Sequence, residues 1–379
     1  MVTMQPALKN GRNVWDHVNM PESEFETRVE RIRAHMKKSA IDLLLLYGRG
    51  LNEYADPCYV SNFVIRLPRG TIAVVPLEGQ VVLFFEGASR GLPSLLLTTW
   101  ARELKPAGNV AKECAKYLKE KGLVPCSVGL GRLAEMMPYQ EFRVLKEVLA
   151  GSKIVDAARI LPNLRMIKST KEIDEIRRAG RVLKKGFELI SSMCSDGTSE
   201  QFLEAMVRKQ ARLEGAEDVR MLFGRSGEKT RLRPPENRSI GQGHALIIYA
   251  AVEFERYWAE AARTFTIKEA SFSEITSDAT AVYGRAIDAI KPGRTVSQLY
   301  KDVLEDAGRS GLELLSDYGL GGGIGLSLNE LPVINEKGAQ KLKEGMCLSL
   351  RLAVKDKTYG STMFGNTLLV GKNGAEVLT

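Results

Sequence analysis

The stretch Tyr318 to Glu330, YGLGGGIGLSLNE, places five glycines within eight residues and follows them with an Asn–Glu pair. Glycine at that density lets a backbone bend hard or approach a partner closely. The chemistry on offer is a phosphate cradle, a metal-binding turn, a substrate contact or close strand packing. A G-x-G-x-x-G cradle needs a strand before it and a helix after it, whereas here more strand, CLSLRLAV, follows. A second cluster is basic: Arg225, Lys229, Arg231, Arg233 and Arg238 lie between Phe223 and Arg238. It reads as a solvated loop or, if it lines a cleft, as a guide for anions. The three histidines (His17, His35, His244) and five cysteines (Cys58, Cys114, Cys126, Cys194, Cys347) are scattered, with no CxxC and no Cys/His spacing. Neither a zinc site nor a disulfide framework is expected, and the setting reads as a reducing cytoplasm.

Such residues need a scaffold. A chain of 379 residues, 44% hydrophobic and 26% charged, has material for two domains with sizeable cores. The net charge of +8 is spread through mixed runs such as RVERIRAHMKK, which speaks against nucleic-acid binding and suits a small anionic substrate. The start, MVTMQPALKNGRNVWDH, has no apolar h-region, so no signal peptide is expected. Apolar runs such as Leu43 to Leu46 are too short to span a bilayer, and no membrane partner is expected. Residues 1–160 alternate helical and extended patterns: a helix over Phe25 to Lys38, a buried strand over Ile41 to Gly48, a hairpin turning at Glu78-Gly79, and helices over Asn109 to Glu120 and Tyr139 to Leu149. That is an α/β domain.

Past Pro162 the pattern changes. Ser169-Thr-Lys-Glu172 is a capping box opening a long helix, so residues 161–379 read as a second domain. Within it, DGTSEQFLEAMVRKQARLEGAE (from Asp196) parallels PGRTVSQLYKDVLEDAGRSGLE (from Pro292). Gly197/Gly293, Ser199/Thr295, Leu203/Leu299 and Gly215/Gly311 recur in register, the hydroxyls as N-caps and the later glycines as helix stops. Two helix–helix–strand halves are implied.

With these features in view, the chain resembles the creatinase / aminopeptidase P / methionine aminopeptidase superfamily, the M24 peptidases. The marks are AIDLLLLYG in the first part, then LRMIKSTKEIDEIRRAG, YWAEAARTF, GGGIGLSLNELP, EGMCLSL and NTLLVGKNGAEVLT in order. The resemblance implies an α/β creatinase-like N-terminal domain and an α+β pita-bread C-terminal domain with an internal pseudo-twofold duplication. Catalytic relatives bind two divalent metals through Asp, Asp, His, Glu and Glu, hard oxygen donors and one imidazole that activate a bridging water. Those positions fall here on Tyr249, Glu260, Gly322, Arg351 and Gly365. Only Glu260 keeps a carboxylate, so no metal and no other cofactor is expected, and the glycine run becomes the remnant of a metal-binding turn. His244 stands where relatives begin a strand with aspartate and reads as a loop or capping residue.

Carried over by position, the candidates are Glu260 as general base, Tyr249 as acid or orienter and Arg351 as holder of a substrate carboxylate. Arg351 would also favour the ionised form of Glu260. Tyr257, Asn329, Glu330 and Asn366 are the further substrate contacts, with Arg231 or Arg233 nearest the place of an upstream histidine; Arg263 and Pro332 read as structural. The resemblance implies a metal-independent hydrolase or lyase acting on a C–N or amide bond of a small, anionic molecule, in a homodimer. Asn52, Tyr54 and Tyr59 would then reach a partner's cleft. The alternative is an inactive pseudo-peptidase that binds a peptide or protein, as a related histone chaperone does. In that case Glu260 and Arg351 form a buried ion pair plugging the old cavity.

Overall fold

The computed structural model describes residues 15–50, 53–64, 69–89, 92–226, 231–241, 245–266, 273–356 and 360–379. Two compact units divide the chain, Met1–Arg165 and Met166–Thr379. Among the described residues, no helix is long and apolar enough to cross a membrane.

The first unit contains, in chain order, α1 (Glu22–Lys38), β1 (Leu43–Arg49), α2 (Ala55–Ser61), β2 (Gly70–Pro76), β3 (Val82–Glu86), α3 (Leu92–Leu96), β4 (Glu103–Ala107), α4 (Val110–Glu120), β5 (Ser127–Gly131), α5 (Leu133–Met136), α6 (Tyr139–Val148), β6 (Lys153–Asp156) and α7 (Ile160–Arg165). Its six strands run β4-β3-β2-β1-β5-β6. The expected hairpin is β2 against β3, and Asn109 caps α4 through its side chain, which accepts from the Lys112 N–H. Tyr54 and Tyr59 are 5% and 0% exposed, and the Arg28 guanidinium lies 4.7 Å from the Tyr59 ring centroid. Both tyrosines are core residues of this unit, which corrects the expectation that they reach into a partner's cleft. Asn52 lies outside the described residues.

The second unit runs α8 (Thr170–Met193), α9 (Glu200–Leu213), β7 (Asp218–Arg225), β8 (Ala245–Phe254), β9 (Tyr257–Thr266), α10 (Ser273–Asp288), α11 (Val296–Arg309), β10 (Glu313–Leu314), β11 (Gly321–Gly323), β12 (Glu330–Val333), β13 (Cys347–Asp356), β14 (Gly360–Val370) and β15 (Ala375–Val377). The main path of its sheet is β12-β11-β13-β14-β9-β8-β7. The duplication is visible in detail. Ser169 and Glu172 form the capping box of α8, and Ser199 and Thr295 cap α9 and α11 by accepting from Phe202 and Gln298 N–H groups. Gly197 and Gly293 both take positive φ, at 85° and 90°, a region where glycine carries no Cβ penalty. Leu203 and Leu299 are buried, each contributing about 1.5–3 kcal/mol of apolar burial.

Strand alternation divides this sheet into two chemistries. Leu246, Ile248, Ala250 and Val252 of β8, with Ala259 and Ala261 of β9, pack in a core with α8 and α9. Leu348, Leu350, Leu352 and Leu368 pack likewise with residues of α10 and α11. The intervening residues face the other way, and they include all the positions that the resemblance marks on β8, β9, β13 and β14 as former metal ligands.

Candidate functional site

On that second face the register lines residues into rows across the strands. One row is Tyr249, Ala262, Gly365 and Arg351, each paired with the next. The neighbouring row holds Ala251 opposite Glu260, and Thr367 opposite Ser349, with Gly322 of β11 paired to Ser349. A third row contains Ile247, Met363 and Ala353, and these pack with Ala262 beneath Leu232, Leu315 and Tyr318. The five carried-over positions therefore converge in two adjacent rows.

Glu260 is the hub. It is 1% exposed. Its Oε2 accepts from the Tyr249 hydroxyl at 2.6 Å; its Oε1 accepts from the Ser349 hydroxyl and lies 3.3 Å from Arg351 Nη1. Its backbone is tied as well: Thr367 Oγ1 accepts from the Glu260 N–H at 2.8 Å and donates to the Glu260 carbonyl at 3.0 Å. The proposed general base is thus enclosed and supplied with donors on both oxygens, and it positions Arg351. Burial, and then the charge of Glu260, raise the Tyr249 phenol well above its ordinary value. The phenol donates its proton to a hydrogen bond with Glu260 Oε2 and so orients that carboxylate. Ser349 and Thr367 were missed by transfer of motif positions, yet strand parity finds them, two residues from Arg351 and Gly365 respectively.

Arg351 reaches Glu260 across an intervening strand, since the order is β13-β14-β9. What lies beneath it is Gly365, where an added Cβ would stand 3.3 Å from Arg351 Cγ and 3.2 Å from the Ala262 nitrogen. The glycine gives the arginine its path. Arg351 also lines a cleft of about 490 Å³ with Gly321–Gly323, Asn329, Glu330, Tyr300, Asn335 and Lys337 among its walls. Asn329 is exposed there. Glu330 accepts from Lys168 Nζ at 3.1 Å and from the Ser327 N–H at 3.1 Å.

Three expected contacts are elsewhere. Tyr257 and Asn366 have the opposite parity and point to the helices. The Tyr257 hydroxyl donates to Glu172 at 3.1 Å. The Asn366 carboxamide accepts from Arg263 Nη2 at 2.7 Å and donates to the Tyr283 hydroxyl at 3.2 Å. Arg233 is occupied by Glu200, which is 0% exposed and accepts from both Nη atoms at 2.7 and 3.1 Å. All three are corrected to structural parts. Arg231 is exposed and is not among the cleft-lining residues. Lys229 and His244 fall outside the described residues. Arg233→Ala is expected to lower stability by about 2 kcal/mol, the scale of a hydrogen bond to a charged group, in urea unfolding, with ligand affinity unchanged. Lost affinity at unchanged stability would return Arg233 to the site.

Among the described residues, no group of three or more His, Cys, Asp or Glu side chains is arranged to hold a metal. A family model described as metallopeptidase family M24 matches residues 174–372, and one described as the creatinase/prolidase N-terminal domain matches residues 28–167. The chain is 26% identical over 366 residues to an Xaa-Pro dipeptidase of Pyrococcus furiosus, covering 94% of this chain and 98% of that one. Among solved structures it is similar to an X-Pro aminopeptidase from Thermotoga maritima MSB8, with a TM-score of 0.80, 20% identity and coverage of 93% and 97%. It is also similar to the N-terminal domain of FACT complex subunit SPT16 from chickpea, with a TM-score of 0.70, 19% identity and coverage of 94% and 96%. At those identities the two structures speak to the fold.

Proposed function

The chain belongs to metallopeptidase family M24 and carries a creatinase/prolidase N-terminal domain, and from that premise we propose that it is an Xaa-Pro-peptidase-like hydrolase working without the family's two-metal centre. Its substrate is a small, anionic molecule with a C–N or amide bond. Water adds across that bond, the carbon gaining hydroxyl and the nitrogen gaining the proton. The observation that carries this reading is Arg351, a cation at the position that the resemblance matches to a metal ligand, paired with Glu260 and among the residues that line the cleft. The residues at the five positions do not fit a dinuclear centre: one carboxylate remains, already bonded to a guanidinium, and a phenol and two glycines complete the set. Curated relatives such as the Pyrococcus furiosus Xaa-Pro dipeptidase support hydrolysis as the reaction class.

The reading extends to a cytoplasmic homodimer with domains at residues 1–160 and 161–379. The free cysteines Cys58, Cys114, Cys126, Cys194 and Cys347 suit a reducing compartment, and the division into units at Arg165 and Met166 supports the boundary. The homodimer follows from the resemblance.

Metal analysis tests the central claim. Purified protein is expected to hold no stoichiometric manganese, cobalt, zinc or iron, and hydrolysis of small amide and guanidino acids is expected to persist under EDTA. Tightly bound metal at one or two equivalents, or activity abolished by EDTA and restored by manganese, would overturn it. A second reading, binding without turnover, is favoured by the full engagement of Glu260 and Tyr249. Saturable binding of those acids with no product released would establish it.

A further inference from the structure

Glu260 is 1% exposed, so a substrate that is to meet it needs a way in. The cleft reaches the row of Tyr249, Ala262, Gly365 and Arg351 at its Arg351 end. At the centre of that row, Ala262 lies under an apolar roof. Ile247, Ala262, Ala353 and Met363 form the floor, each 2% exposed or less, and Leu232, Leu315 and Tyr318 pack over it. These three are only half-buried, so the roof is one side chain thick. Its two parts come from separate stretches of chain. The Leu232 N–H joins them by donating to the Tyr318 hydroxyl at 3.1 Å.

Tyr318 ends a short 3-10 turn, Ser316–Tyr318, whose flanks are anchored to β13. The Leu315 N–H donates to the Ala353 carbonyl at 2.8 Å, and the Leu320 carbonyl accepts from the Arg351 N–H at 3.0 Å. Between these anchors Gly319 takes a φ of 58°, which glycine adopts without a Cβ penalty. Ser316 and Gly319 are exposed and, with Leu320, line the cleft. The turn thus has the cleft on one side and the covered floor on the other. Segments with little buried apolar contact open locally while the rest stays folded. We infer that the Ser316–Tyr318 turn is a gate between the cleft and the floor around Ala262, hinged at Gly319 and latched by the Leu232 N–H on the Tyr318 hydroxyl. Swinging Tyr318 off the floor extends the cleft along the row from Arg351 toward Tyr249, beside Glu260. The inference rests on the hydrolase reading and deepens it, because it supplies the step by which the proposed base is reached.

Alkylation of a thiol placed under the roof tests the gate. Met363→Cys puts one on the floor, with Ala353→Cys as the second position should the first variant fail to fold. The native Cys114 and Cys347, both 0% exposed, report global unfolding in the same molecule. Rates with N-ethylmaleimide are read by peptide mass spectrometry, with no substrate present. Tyr318→Phe keeps the ring and removes the latch. It is expected to raise the rate at the floor thiol about fivefold, the change in open population that follows loss of one neutral hydrogen bond. Cys114 and Cys347 are expected to keep their rates. Leu232→Ala, which thins the roof, is expected to act in the same direction and on the floor thiol alone. An unchanged floor rate with Tyr318→Phe, or one factor shared by all three thiols, would overturn the gate. So would a floor thiol that reacts as fast in the folded parent as in the urea-unfolded chain. Hydrolysis of the small amide acids is measured apart. No product from a protein whose floor thiol is gated discards the hydrolase and keeps the gate. Product from one whose floor thiol is not gated does the reverse.

Discussion

Replacing Glu260 by alanine is expected to lower the stability of the protein by about 3 kcal/mol, the lower end of the cost of removing one partner of a buried ion pair. The size follows from what the carboxylate satisfies. Arg351 loses its counter-charge, and the hydroxyls of Tyr249 and Ser349 lose their acceptor inside the sheet face. The lower end applies because Arg351 keeps 22% of its surface and turns part of its charge toward water, whereas Glu260 is enclosed. Urea unfolding of Glu260→Ala, Arg351→Ala and the double variant forms a cycle. The coupling between the two sites is expected at about 1 kcal/mol or more, with the double variant more stable than the sum of the single losses predicts. Additive losses would mean that the two side chains are neighbours without being partners, and the positioning role given to Glu260 would fall. The cycle also separates structure from function. A Glu260→Gln protein that unfolds like the parent but binds small amide acids poorly shows that the contact to Arg351 matters for its aim as well as for its charge.

Much of this arrangement is written in local signals. Caps at Ser169, Ser199 and Thr295 and helix stops at Gly215 and Gly311 are chemical events of a few residues, and each stands where the residues demand. The five marked positions also converge, because strand register carries spacing into space: Tyr249 and Glu260 lie eleven residues apart on a tight hairpin and so meet. What position alone does not carry is facing. Tyr257 is three residues from Glu260 and Asn366 one residue from Gly365, odd offsets that turn each side chain to the helices. Counting parity along the strand recovers both corrections, and it also brings Ser349 and Thr367 into the site. The pair between Arg233 and Glu200 is of another kind. It joins a loop to the first turn of a distant helix, and no spacing in the chain announces it. The role of Gly365 was equally hidden, since a glycine that makes way for an arginine two strands from its target is legible only once the strand order is known.

Gly323→Ala is expected to destabilise the protein by about 3 kcal/mol or more, at or beyond the usual cost of forcing atoms into a packed interior. An added Cβ would stand 2.1 Å from the Leu331 carbonyl oxygen and 2.7 Å from its carbon. Those are backbone atoms of β12, paired to β11 across a register shift at Gly322 and Gly323, so relief requires moving a strand. Gly321 is held as firmly, with φ of 95° and an added Cβ 2.1 Å from the Ser349 oxygen. The same geometry bears on the neighbouring glycine. At Gly322, which the resemblance matches to a histidine of the family, a Cβ would come 2.6 Å from the Pro332 oxygen. Gly322→His is therefore expected to lower stability by a comparable amount and to bind no metal, even when combined with Arg351→Glu, because the strand has closed over the space an imidazole stem needs. Thermal unfolding and metal analysis of these variants decide the point. If Gly322→His/Arg351→Glu folded normally and took up manganese, the glycines would be permissive loops around an intact metal site. If it unfolds early and stays metal-free, the close approach of β11 to β12 and β13 excludes an imidazole at Gly322, and a metal site there is blocked in the backbone before side chains are considered.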